Sequence, residues 1–186
     1  MNIMIVGVGG QGTLLTSRII GKTAMAAGYE VKISEVHGMA QRGGSVVTYV
    51  RFGESIAEPV CEVGEVDLLI SFELLEALRY AHYLKRDGVL VVNDCRIDPM
   101  TVTTGAAVYP EGILKTLTRE HTVVTLDGGA IAEELGNSRV LNSVVLGAAA
   151  RHIGFSEEAW LSVLSATVPP KTVAVNEAAF RRGYEK

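Results

Sequence analysis

Gly7, Gly9, Gly10, Gln11, Gly12 and Thr13 stand together in the string G-V-G-G-Q-G-T, directly after the first apolar run of the chain. Glycines there permit a tight turn and close approach of a ligand, and a helix starting behind them presents unpaired N–H groups to an anion. The chemistry expected is a phosphate cradle. Glu35, 23 residues past Gly12, is placed to accept from a ribose hydroxyl if the ligand is a dinucleotide. A second group follows in E-V-H-G-M-A-Q-R-G-G-S: His37, Gly38, Met39, Gln41, Arg42, Gly43 and Gly44. Glycines at this point interrupt the second helix that a dinucleotide-binding chain requires, and another strand follows at once. The segment reads as a site or subunit-contact loop at the carboxyl edge of a sheet. The plainer alternative is a surface loop whose Arg42 pairs with an acid. His37 has no nucleophile or carboxylate at a fixed spacing that would make it a general base.

Two amides are out of place in apolar stripes. Asn142 shares a helical face with Val145, Leu146 and Ala149, and Asn176 with Val173, Ala179 and Phe180. Buried amides need partners, either inside the core or at a ligand or subunit face. Lys171 precedes the last helix, where a cation opposes the helix dipole. Anchoring an acidic group would account for it, and so would simple solvation. Cys61 and Cys95 lack basic neighbours and read as inert thiols, while His82, His121 and His152 have no ligand spacing. Asp94 follows a strand and reads as a turn residue.

The elements that must position these residues are legible as hydrophobic patterns. Residues 3–6, 68–70, 89–92 and 122–126 are continuous aliphatic runs, expected of strands buried on both faces of a largely parallel sheet. Residues 31–34 and 45–52 alternate, with Val31 and Ile33 opposite Lys32 and Ser34, and with Val46, Val50 and Phe52 opposite Ser45 and Arg51; each predicts a strand with one wetter side. Helices are expected over residues 12–27, 74–84, 111–119 and 131–135, then over 139–152, 157–166 and 172–184. Ser156 is a good N-cap ahead of Glu157 and Glu158. The order predicts an α/β fold: three layers, a mostly parallel but mixed sheet, a Rossmann-like start with a glycine loop, and a helical C-terminal portion.

With 186 residues, one domain spanning residues 1–186 is expected. A net charge of −4 and a pI near 5.6, without a basic run, point away from nucleic acid and anionic membranes. No apolar run approaches the roughly 20 residues of a membrane span. The first basic residue is Arg18, so a secretory leader is not expected, and two cysteines without a C-x-x-C predict a cytoplasmic chain with reduced thiols. A mean hydropathy of +0.27 with only 20% charged residues hints that part of the surface faces another subunit.

Four strings in order resemble the gamma-type domain of the 2-oxoacid:ferredoxin oxidoreductase family: G-V-G-G-Q-G at residues 7–12, H-G-M-A-Q-R-G-G at 37–44, N-S-V-V-L-G at 142–147 and K-T-V-A-V-N-E-A-A-F at 171–180. The form of the second string favours the arylpyruvate, indolepyruvate-type branch. The resemblance implies a subunit of an enzyme that oxidatively decarboxylates a 2-oxoacid to an acyl-coenzyme A, with ferredoxin as electron acceptor. It also implies that thiamine diphosphate and the iron-sulfur clusters reside in a larger partner subunit; this chain has neither a G-D-G string nor a cysteine cluster. Gly9 to Thr13 would then hold a phosphate of coenzyme A. His37 to Gly44, with Asn142, Lys171 and Asn176, would face the partner and its active site, and no metal is expected on this chain. Two other readings remain: a stand-alone NAD- or FAD-binding oxidoreductase, and a purely structural assembly subunit. An uncovered apolar surface would also favour a homodimer in isolation.

Overall fold

A computed structural model describes residues 1–38 and 43–186. Its elements run β1 (Asn2–Val8), α1 (Thr13–Ala26), β2 (Glu30–His37), β3 (Ser45–Gly53), β4 (Val66–Ser71), α2 (Leu74–Tyr80), β5 (Leu84–Asn93), α3 (Met100–Thr103), α4 (Ile113–Glu120), β6 (Thr122–Leu126), α5 (Gly128–Glu134), α6 (Leu141–Ala150), α7 (Glu157–Thr167) and α8 (Val173–Tyr184). Short 3-10 turns at Ala81–Tyr83, Ser138–Val140 and Pro170–Thr172 lead into β5, α6 and α8.

The strands form one sheet in the order β2-β3-β1-β4-β5-β6. β1, β4, β5 and β6 pair in parallel, while β3 is antiparallel to both β1 and β2. β2 therefore runs the same way as β1, and β3 alone is reversed. All five co-directional strands end at one edge, where β3 begins. Because the chain leaves β1 toward one side of the sheet and returns at β4 on the other, the crevice between these two ends is where open α/β sheets bind ligands.

Ile3, Ile5, Val50, Leu68 and Ile70 face a layer built from α1, α6, α7 and α8, whose buried side chains include Ile20, Val144, Trp160 and Phe180. Met4, Val6, Tyr49, Leu69 and Leu90 face α2 and α4 through Ala77, Ile113 and Leu117. The three layers of the sequence reading are thus present, with the helical C-terminal portion joining α1 on one face. Ser156 caps α7, its hydroxyl accepting from the Ala159 N–H at 3.3 Å.

Several expectations require correction. On β3, Ser45 and Arg51 are half-buried as the alternation implies, but Val47 and Tyr49 on the same face are buried in a cluster with Cys61, Ala77 and Ala81, so only the ends of that face are wet. The open strand is β2, where Val36 and His37 are exposed and Ile33 is 41% exposed although its alternation marked it as inward. The helix expected over residues 74–84 stops at Tyr80, and β5 begins at Leu84 rather than at residue 89. Leu84 already pairs with Val66 before the register shifts, and Lys85 grips Asp67 at 2.5 Å, so a charged stretch is held in the sheet.

Candidate functional site

Gln11 shapes the glycine loop. Its side-chain oxygen accepts from the Val8 N–H at 2.7 Å, and its amide nitrogen donates to the Phe72 carbonyl at 3.0 Å, tying the end of β1 to the end of β4. Gly10 and Gly12 have φ of 108° and 89°, conformations that side-chain-bearing residues rarely adopt. A Cβ on Gly12 would also stand 2.8 Å from the Asn142 amide nitrogen. α1 begins immediately afterwards with no side chain capping it; the Leu15 N–H donates to the Gly12 carbonyl at 3.1 Å, which leaves the Thr13 and Leu14 N–H groups open to a ligand. Gly9, Gly10, Gly12, Thr13, Glu35, His37 and Val46 line a cavity of about 370 Å³ in front of this helix end.

β2 brings Glu35 and His37 to the cavity from two strands away. Glu35 aligns with Thr48 and Ile5, and His37 with Val46 and Gly7. One Glu35 oxygen accepts from the Thr48 hydroxyl at 3.2 Å. The His37 ring nitrogen Nδ1 lies 3.0 Å from the Gly38 carbonyl, and the side chain is exposed, without a carboxylate to orient it. The end of the second glycine segment is laced to the first, the Gly9 N–H donating to the Gly44 carbonyl at 2.9 Å. Met39, Gln41 and Arg42 lie outside the described residues.

The C-terminal helices supply the opposite wall. Gly10 and Gly12 also line a cavity of about 240 Å³ with Arg139 and Asn142, and these two continue into one of about 380 Å³ with Lys171, Thr172 and Asn176. Residues more than 120 positions apart in sequence thus meet around one loop. The Asn142 oxygen accepts from the Ser143 N–H at 3.0 Å. Asn176 uses its amide internally: it accepts from the Ser143 hydroxyl at 2.7 Å and donates to the Thr172 carbonyl at 2.8 Å, pinning α8 to α6. Arg139 and Lys171 are exposed and, among the described residues, make no ion pair.

The sequence reading missed a pair of buried carboxylates at the crevice between β1 and β4. Glu73 is 1% exposed and caps α2, accepting from the Glu76 N–H at 2.9 Å, the Ile97 N–H at 3.1 Å and the Tyr109 hydroxyl at 2.5 Å. Burial, then this hydrogen bond, push the Tyr109 phenol far above its ordinary pKa. Glu76 accepts from the Ser45 hydroxyl and from Arg79 at 3.2 Å, anchoring the start of β3. Glutamate is not a favoured N-cap residue, so no local signal announced Glu73.

Among the described residues, no group of three or more His, Cys, Asp or Glu side chains is arranged to hold a metal ion, and no helix is long and apolar enough to cross a membrane. Cys61 and Cys95 are both free, the first within the β3–β4 connection and the second just past β5. Two separated thiols do not fit an iron-sulfur cluster. Burial pushes Cys61 up to about 11, and burial with Glu73, Asp127 and Asp94 nearby raises Cys95. At pH 8, iodoacetamide is expected to label Cys61 in the folded protein about 100-fold more slowly than a free thiol, with the rate restored on unfolding. Mass spectrometry of timed samples checks this; equal rates in folded and unfolded protein would refute the burial.

A glycine loop and an uncapped helix end at the crevice of a doubly wound sheet define an α/β domain of Rossmann-like start, here with one reversed strand set between β1 and β2. The chain belongs to the pyruvate ferredoxin/flavodoxin oxidoreductase family, which it matches over residues 2–186. It is similar to indolepyruvate oxidoreductase subunit IorB of Thermococcus kodakarensis, with 43% identity covering 99% of this chain and 94% of that one. Among solved structures, pyruvate oxidoreductase subunit PORC of Thermotoga maritima superposes with a TM-score of 0.76 at 25% identity, covering 100% of this chain and 96% of that one. The 2-oxoglutarate:ferredoxin oxidoreductase of Magnetococcus marinus, solved with 2-oxoglutarate, coenzyme A and succinyl-CoA bound, shares the fold at a TM-score of 0.75 and 21% identity, this chain covering 30% of its length. The protein is the small subunit of a 2-oxoacid:ferredoxin oxidoreductase, an oxidoreductase complex.

Proposed function

We propose that this subunit serves an indolepyruvate-type ferredoxin oxidoreductase of the cytoplasm and that its glycine loop holds the phosphates of coenzyme A, the acceptor of the acyl group. The identity of 43% to an indolepyruvate oxidoreductase subunit supports the substrate class. The carrying observation for the loop is the cradle itself: two glycines at positive φ, an uncapped α1 and an adjoining cavity. In this reading thiamine diphosphate, the iron-sulfur clusters and the contact with ferredoxin belong to the larger subunit. His37, Gly38, Gly43 and Gly44, the described ends of the second glycine segment, face that subunit, since they lie at the ligand edge of the sheet. This chain's contribution to the chemistry is then binding: the α1 N–H groups orient the phosphates, and the cradle presents the thiol arm toward the partner.

A stand-alone NAD- or FAD-dependent enzyme fits less well. The reversed β3 moves Glu35 one strand outward, to about 10 Å from β1 across the sheet, whereas a ribose-binding acid belongs on the strand beside β1. In the assembled complex, Gly10→Val is expected to raise the KM for coenzyme A about tenfold or more while the subunits still co-elute. An unchanged KM in an intact complex overturns the assignment and favours the purely structural subunit.

A further inference from the structure

β2 ends the sheet, and among the described residues no strand pairs with its outer edge. Its eight residues pair with β3 in unbroken register, without a bulge or a proline, whereas an edge strand of this length ordinarily carries a device against pairing with another chain. Lysine is one such device, yet Lys32 is turned back along its own chain, to the Ala57 carbonyl at 3.0 Å and to Glu30 at 3.7 Å. Apolar side chains collect at the first half of this edge. Met25 near the end of α1, Tyr29 and Ile33 are 57%, 41% and 41% exposed. Gly21 of α1 lies against Val31 and Ile33, so the last turns of α1 ride over the same stretch of β2.

We propose that two copies of this chain pair through β2, antiparallel, about a two-fold axis at Val31, joining their six-stranded sheets into one. A two-fold axis perpendicular to a sheet sets odd-numbered residues opposite odd ones and even opposite even, which leaves few registers. In this one Val31 meets Val31 of the second copy, Tyr29 meets Ile33, and Glu30 meets Lys32, the last two pairs each occurring twice. An aromatic against a β-branched side chain and a carboxylate against an ammonium are favourable cross-strand pairs. Tyr29 and Ile33 thereby cover each other, and the axis brings Met25 beside its counterpart. An axis at Lys32 would set lysine against lysine, and one at Ile33 would set Glu30 against Val36 and Glu35 against Val31. The register at Val31 is the one in which the strand's charges and its apolar side chains both find complements, and that self-complementarity marks a second copy as the occupant.

The full chain is tested in solution at micromolar concentration. Light scattering is expected to give the mass of two 19.8 kDa chains, and a single-chain mass overturns the proposal. Lys32→Glu sets glutamate against glutamate and is expected to raise the dissociation constant of the dimer about a hundredfold. Glu30→Lys should do the same, and the double exchange should restore the parent value. Both side chains are partly exposed, and matching circular dichroism spectra verify the fold of each variant. A dimer that survives Lys32→Glu, or one that the double exchange does not restore, overturns the register. Val31→Cys supplies a second measurement in the assembled complex, because two thiols on the axis are within disulfide reach while neither Cys61 nor Cys95 is on β2. Mild oxidation is expected to link two small subunits in that variant and not in the parent; a link to the larger subunit alone, or no link, overturns the pairing of copies.

Discussion

Gly147→Val is expected to destabilise the subunit by about 3 kcal/mol or more, lowering its melting temperature by about 10 °C for a chain of this length. α6 and α8 cross with their backbones in contact. A Cβ on Gly147 would fall onto the Phe180 carbonyl, and one on Gly183 onto the Val144 carbonyl. Side chains can change rotamer to accept an intruding methyl, whereas two helix backbones must separate along their length, which opens the packing of Val144, Ala148, Ala179 and Phe180. The same crossing carries the Ser143 hydroxyl to the Asn176 amide. Asn142 is the neighbour of that serine and stands against Gly12, so spreading α6 from α8 also moves one wall of the glycine loop. Ala174→Ser, on the exposed side of α8, serves as the control and should change stability by under about 0.5 kcal/mol. Thermal unfolding of both variants decides the matter; a Gly147→Val protein melting within about 2 °C of the parent would mean that the helices do not cross so closely.

What was legible in the sequence was local. Each of the four aliphatic runs became a strand because a run of Ile, Val and Leu bounded by Gly or Asp needs no distant information to be recognised. The glycine loop was legible for the same reason, since Gly10 and Gly12 answer to their own φ angles. Gly147 and Gly183 were not, because what excludes a side chain there is another helix more than 30 residues away in sequence. β3 was only partly legible because the burial of Val47 and Tyr49 depends on distant residues packed on that face, Cys61, Ala77 and Ala81 among them. Asn176 could be recognised as anomalous in its stripe, yet its partners Ser143 and Thr172 are fixed by the α6–α8 crossing. Glu73 and Glu76 gave no signal at all: their burial is created by Ser45, Ile97 and Tyr109, 24 to 36 residues away in sequence.

Those carboxylates carry the second large effect. Glu73→Ala is expected to cost about 4 kcal/mol, because it leaves the Ile97 and Glu76 N–H groups and the Tyr109 hydroxyl without their shared acceptor. Glu73→Gln keeps the volume and one acceptor but turns an NH2 group toward N–H donors, so about half that loss is expected. Tyr109 also accepts from the Leu75 N–H at 3.1 Å and lies 4.3 Å beneath the Arg96 guanidinium, so the defect reaches α2 and the chain beyond β5 together. It reaches the site as well, since α2 carries Glu76, Glu76 holds Ser45, and Gly44 beside it bonds to Gly9. A distinct pH signature follows from Tyr109. Its phenol is raised by burial and by Glu73, so the folded state keeps a proton that the unfolded chain releases near pH 10. The stability this represents is complete below pH 10 and declines as the pH rises further. Tyr49, pushed up to about 12 mainly by burial, adds to the same decline. Tyr109→Phe should therefore flatten the alkaline limb of stability against pH only in part, whereas Glu73→Ala should lower the whole curve, neutral pH included. Denaturant unfolding at pH 7 and at pH 10.5 distinguishes the two, and a Glu73→Ala protein as stable as the parent at pH 7 would show that the carboxylate does not join these segments.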